Sequence, residues 1–113
     1  MARKNVVSVT TLDNVTAAVG IISDIHHVSE IDYLSMHAKF STANSGQFIV
    51  YGKNHDKADW YELSFGAPLT ITAESECQIV LNKIPCKYIK LEWVPLSGAG
   101  TLTVYTTMKS VGA

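Results

Sequence analysis

Along most of this chain apolar and polar residues alternate one for one. In "IDYLSMHAKF", Leu34, Met36, Ala38 and Phe40 share one parity and Ser35, His37 and Lys39 the other, the pattern of a strand with one face buried. In "SGQFIVYG", Phe48 and Val50 oppose Ile49 and Tyr51, and the Ser/Asn/Gly-rich segment before it predicts a hairpin turn between the two strands. "DWYEL", "PLTITA" and "CQIVLNKI" read as short strands separated by "SFGAP", "ESE" and "PCK". The clearest alternation lies near the end. Ile89, Leu91 and Trp93 of "KYIKLEWV" point one way, and Leu102, Val104 and Met108 of "TLTVYTTM" form the inward set of the last strand.

"NVVSVTTL" and "VTAAVGII" are extended in character, and ten Thr, eleven Val and nine Ile favour strands overall. "DNVTAAVGIISDIHHVSEI" has room for a helical turn, but its β-branched residues and Gly20 oppose a long helix. Seven to nine short strands at intervals of about ten residues predict a single-domain, all-β antiparallel β-sandwich. A jelly-roll-like order is expected, with an immunoglobulin-like sandwich as the alternative, because strand spacing alone does not separate them. The predicted boundaries are an N-terminal arm over 1–14 and the sandwich over 15–113.

Composition narrows the functional classes. A chain of 113 residues, 47% apolar, supports one domain with a real core. Charged residues are 17%, against about 25% in ordinary soluble domains, and the formal net charge is −1. Lys and Arg are scattered apart from Arg3 and Lys4, so no nucleic-acid partner is expected. The basic start "MARKNVVSVTTLDN" is not followed by the apolar run of a secretory signal, and "VTAAVGII", the longest apolar stretch, is far short of a spanning helix, so no membrane partner is expected and the protein is placed in the cytoplasm unless assembly carries it elsewhere. A weakly charged surface on a strand-rich protein points to association with other chains, since charge is what keeps exposed sheet edges apart.

Catalytic chemistry finds no footing. His26 and His27, adjacent on a strand, point to opposite faces and do not share a metal; His37 and His55 have no partner at recognised spacing. Asp56 and Asp59 in "KNHDKADW" lack the further carboxylates of a calcium loop. Cys77 and Cys86 are too few for a disulfide framework and are expected as free, structural thiols. "PLSGAG" is neither a nucleophile elbow nor a phosphate cradle, since no helix follows it. No catalytic, cofactor-binding or metal-binding residue is therefore assigned, and no cofactor is expected. Trp60 and Tyr61 beside a polar loop suggest a core Trp with a displayed Tyr, or a carbohydrate platform.

The order of "SGQFIVYGKNHDKADWYEL" and "IPCKYIKLEWVPLSGAGTLTVYTTMKSVGA" resembles small virion proteins of tailed bacteriophages, particularly the capsid cement or decoration proteins of short-tailed phages. The resemblance covers about residues 31–113. It implies a non-enzymatic virion protein, made in the host cytoplasm, that binds the outer capsid surface through the major capsid protein. It also implies a homo-oligomer, dimer or trimer. A tail or fibre module binding a host glycan is the alternative. The first thirty residues lie outside the resemblance, and "MARKNVVSVT" is apolar enough to add a strand to a neighbour's edge. The residues expected at a partner interface are Val6, Val7, Val9, Trp60, Tyr61 and Tyr105.

Overall fold

The computed structural model describes residues 3–29, 31–55, 57–63, 69–81 and 86–112. Its strands are β1 (Arg3–Thr16), β2 (Ile21–Ile22), β3 (His26–His27), β4 (Tyr33–Lys53), β5 (Tyr61–Glu62), β6 (Leu69–Leu81), β7 (Tyr88–Ser97) and β8 (Thr101–Gly112). Every pairing is antiparallel. Among the described residues there is no helix, and 13–31 holds a turn and the two short strands β2 and β3.

Two strands serve two sheets each. Residues 33–40 of β4 pair with β8, and residues 45–53 pair with β7. On its other flank β4 meets β6, first through Leu34–Lys39 against Leu81–Glu76, then through Gly46–Phe48 against Ile71–Leu69. The first sheet therefore runs β1, β8, early β4, late β6. The second runs β2 and β3, β7, late β4, early β6, with β5 beside the end of β4. Two four-stranded sheets in this order make the antiparallel sandwich a jelly roll.

The bend in β4 replaces the hairpin expected at "STANSG". The chain stays extended there because its polar side chains hold neighbouring strands instead of closing a turn. Asn44, 1% exposed, donates from Nδ2 to the carbonyls of Thr42 and Ala99, both at 3.0 Å. Ser41 Oγ accepts from the Thr101 amide at 2.9 Å, and Ser45 Oγ accepts from the Ala73 amide at 2.9 Å. Ala73 has a left-handed backbone, φ 50°, at the point where β6 crosses between the sheets. The described part of "PLTITA", from Leu69, and "CQIVL" are thus one strand with a bulge, not two separated by "ESE". The β7–β8 connector takes positive φ at Gly98 and Gly100, and a Cβ on Gly98 would lie 1.8 Å from Asn44 Oδ1.

Inside, the inward sets of "IDYLSMHAKF", "KYIKLEWV" and "TLTVYTTM" are buried as their parity predicts, and Thr106 joins the last of them. Phe40 before the bend and Phe48 after it close on Trp93, with ring centroids 5.0 and 4.7 Å away. Trp93, fully buried, donates its indole N–H to the Ala17 carbonyl at 2.8 Å, fixing the 17–20 turn against the core. A Cβ on Gly46 would meet Trp93 Cη2 at 2.5 Å, so the ring packs on bare backbone. His26 reaches between the sheets: its Nε2 is 3.0 Å from Thr11 Oγ1, which also bonds Thr106 Oγ1. The described part of the segment expected as an arm is β1, laid along β8 from Arg3 opposite Gly112 to Thr16 opposite Thr101. The connectors at 64–68 and 82–85 lie outside the described residues, as do Asp56 and Ala113.

Asn44→Ala removes both corner hydrogen bonds and should lower unfolding free energy by about 2 kcal/mol, read as a lower urea midpoint at unchanged slope. Because β8 is bonded on both flanks, a chain ending at Ser97 should be insoluble; a folded, soluble fragment would contradict the assigned order.

Candidate partner surfaces

The sandwich has two outer faces of different chemistry. On the second sheet the outward residues are Ile49, Tyr51 and Lys53 of β4, paired with Glu92, Lys90 and Tyr88 of β7. Tyr51 donates its hydroxyl to Glu92 Oε1 at 2.7 Å, and this bond, with burial and the charges of Glu92 and Glu62, pushes the phenol up to about 12. Residue 60 precedes β5, which pairs with the end of β4, so Trp60 folds over the outer face. The Lys90 and Lys53 ammonium groups stand 4.4 and 4.8 Å from its ring centroid. His27 meets Tyr88 edge-on at 5.0 Å.

Trp60 is therefore a half-buried surface ring and not the core Trp expected from its loop, because the core on this sheet is filled by Phe48, Val50, Ile89, Leu91 and Trp93. Tyr61 is displayed, as expected. Further along the same face Ile22, Val94 and Leu96 are exposed, with Leu96 at 84%, and Val19 is exposed on the nearby turn. Sequence reasoning passed over this patch. Its signal was present in "KLEWVPL", where Val94 and Leu96 fall on the outward parity of Lys90 and Glu92.

The outer face of the first sheet keeps its charges, Lys39, Glu76 and Lys109, at its two ends around a middle of hydroxyl, amide, imidazole and apolar side chains. Its rows, read from β1 to β6, are Ser8, Thr107, Ser35 and Val80, then Thr10, Tyr105, His37 and Gln78. Val6, Lys109 and Tyr33 continue the array at one end, and Thr103, Lys39 and Glu76 at the other. Gln78 Nε2 donates to Ser35 Oγ at 2.7 Å across the strands. The ion pair of His37 with Glu76 on this face, 3.3 Å, is solvent-exposed and contributes little. Val6, Tyr33, Val80 and Tyr105 project from this field of hydroxyls and amides.

Of the six residues expected at an interface, the structure unites Val6 and Tyr105 on this face. Val7 and Val9 have the opposite parity, facing inward across from Met108 and Thr106. Val9 packs against the core, whereas Val7 remains 46% exposed at the edge. Trp60 and Tyr61 belong to the other sheet. Tyr33 and Val80 complete the first-sheet face and were missed, although each shares parity with polar neighbours in its strand.

The reactive side chains are held in quiet states. Cys77 and Cys86 are free; burial, with the Glu74 charge, pushes the Cys77 thiol up to about 11, and burial also raises Cys86. Burial holds His26 below its ordinary 6.5, against a smaller opposing effect of Asp24. Among the described residues no three His, Cys, Asp or Glu side chains gather as a metal site.

No protein-family model matches the sequence, and no curated protein matches it either. Solved structures do match. The SPBc2 prophage-derived protein YomS aligns over 96% of both chains with a TM-score of 0.70 and 15% identity. A chain of Bacillus endospore appendages, described as disulfide-linked pili, aligns over 99% of this chain and 89% of its own, with TM-score 0.54 and 13% identity. In infectious bursal disease virus, Gt strain, the match has TM-score 0.50 and 19% identity; it covers 96% of this chain but 31% of the viral one. At these identities the likeness is one of fold.

Two solution measurements follow from the titrating groups. An unfolded chain protonates His26 near pH 6.5 and the folded one only below it, so the stability tied to neutral His26 is complete above that pH and is lost as pH falls through it. His26→Gln should flatten the fall in urea midpoint between neutral pH and about pH 5. Both thiols should react with a disulfide reagent at mildly alkaline pH far more slowly in the folded protein than in urea.

Proposed function

We propose that this chain is a non-enzymatic structural protein of a phage particle. In this reading it binds the outer capsid surface and cements or decorates the shell, with the major capsid protein as its partner. The observation that carries it is the outer face of the first sheet, whose two middle rows hold no Lys, Arg, Asp or Glu and on which Val6, Tyr33, Val80 and Tyr105 stand exposed. The fold shared with a prophage-derived protein supports the phage setting. A face pre-set by four hydrogen-bonded strands loses little backbone entropy on docking, so modest apolar burial is not spent on ordering. Repetition over a symmetric shell multiplies each contact where one oligomer touches more than one capsomer. The raised thiols and the engaged His26 ring support the non-enzymatic part of the reading.

The alternative, a tail or fibre module holding a host glycan on Trp60 and Tyr61, has less behind it. The Trp60 ring lies over Lys53 and Lys90 with one side against the sheet, so only its other side is open to a stacking sugar.

Purified protein added to shells that lack it should co-sediment with them and raise their rupture temperature. Tyr105→Asp combined with Val80→Lys should weaken that binding about tenfold or more while leaving the thermal melt of the free protein in place. No binding at saturating concentration, or full occupancy at an unchanged rupture temperature, counts against cementing. Binding on a glycan array, with particle images placing the protein on the tail, would favour the alternative.

A further inference from the structure

The first sheet ends in two long edges, and they are built differently. The β6 edge carries Glu74 and Glu76 next to the left-handed Ala73, so like charge and a bulge both blunt it. The β1 edge has neither device over its first half: the register from Arg3 to Thr10 on β8 is unbroken, and two register shifts and the left-handed Asn14, φ 53°, come only in the second half, where Asp13 lies. Its charges stand only at its two ends, Arg3 and Lys4 at one and Asp13 at the other, with eight uncharged residues, 5–12, between them. Val7 points to the inner side opposite Met108 and is still 46% exposed, because no strand among the described residues lies on its outer flank.

We propose that β1 pairs antiparallel with β1 of a second copy of this chain, across a two-fold axis at Ser8. The charge pattern selects both partner and direction. An antiparallel pair sets the Arg3–Lys4 end of each copy beside the Asp13 end of the other, whereas a parallel pair superposes like charges. With Ser8 opposite Ser8, Val7 stands opposite Val9 and Val6 opposite Thr10. Parity is kept, and the exposed inner flank of Val7 gains an apolar neighbour from the second copy. The pairing is isologous and closes on itself, so it ends at a dimer and does not propagate into a fibre. The two first sheets join into one eight-stranded surface, β6 to β1 and β1 to β6, whose outer face doubles the field of hydroxyls and amides. None of this depends on what that field binds.

Sedimentation equilibrium of the full chain at micromolar concentration should show a dimer. Asp13→Lys, at an exposed position, should weaken it several-fold, as should Arg3→Glu with Lys4→Glu; the combined triple variant should recover the affinity, with the melt of each variant confirming that it folds. A monomer throughout the range, a trimer, or a dimer indifferent to the single reversals overturns the pairing. Because shells play no part in this measurement, its failure is distinct from a failure to bind capsids.

Discussion

The amide of Asn44 is where the two sheets become one molecule. Its side chain sits in the interior at the point where β4 exchanges β8 for β7, and it bonds both its own strand and the connector that carries the chain from β7 to β8. An apolar residue of the same size would leave the Thr42 and Ala99 carbonyls without these donors, so the polarity of this buried side chain is what the bend requires. The bend in turn puts Phe40 and Phe48, eight residues apart on one strand, against the same Trp93 ring. Without the corner the aromatic centre of the core does not assemble.

A second corner depends on the first. Ser45 holds the Ala73 amide, so the crossing of β6 is tied to the crossing of β4 at the same level of the sandwich. The two strands shared between sheets therefore bend together, and the sheets are joined by continuous backbone on one side. On the other side the 17–20 turn carries the chain from β1 to β2, and side chains complete the link: Thr106, Thr11 and His26 in a row, and the Trp93 indole on Ala17. That side includes the one titrating group in the row, and acidification acts on the sandwich there.

Much of this fold was legible because burial enforces a period of two, and a single misplaced residue reverses every side chain of a strand. The inward sets of β4, β7 and β8 follow directly from the alternation. The bends were not legible, since Ser, Asn and Gly look the same to sequence reasoning whether they turn a hairpin or line a corner. What separates the cases is tertiary: Asn44 buried against Ala99, and Gly46 bare under Trp93. The surfaces divided in the same way. Tyr105 and Val6 were visible as apolar residues on polar faces, but that they share a face depends on the β1–β8 register, which local pattern does not contain. Trp60 was misplaced because an aromatic beside a loop carries no mark of which side of the sheet the loop will fold over.

The place of β8 also bears on how the protein comes to be folded. The last strand in chain order lies between β1, the first, and the early half of β4, so the pairs that complete the first sheet join residues about as far apart as the chain permits, Arg3 with Gly112 among them. Contacts of such sequence separation place the domain with the slow-folding all-β topologies, since loop-closure entropy is met in full before the pairing rewards it. During synthesis β1 and β4 emerge with the flanks meant for β8 still open, and they stay so until β8 has been made. Open strand flanks of this kind are where a nascent chain misassociates, so the interval before β8 docks is the vulnerable stage in forming the sandwich.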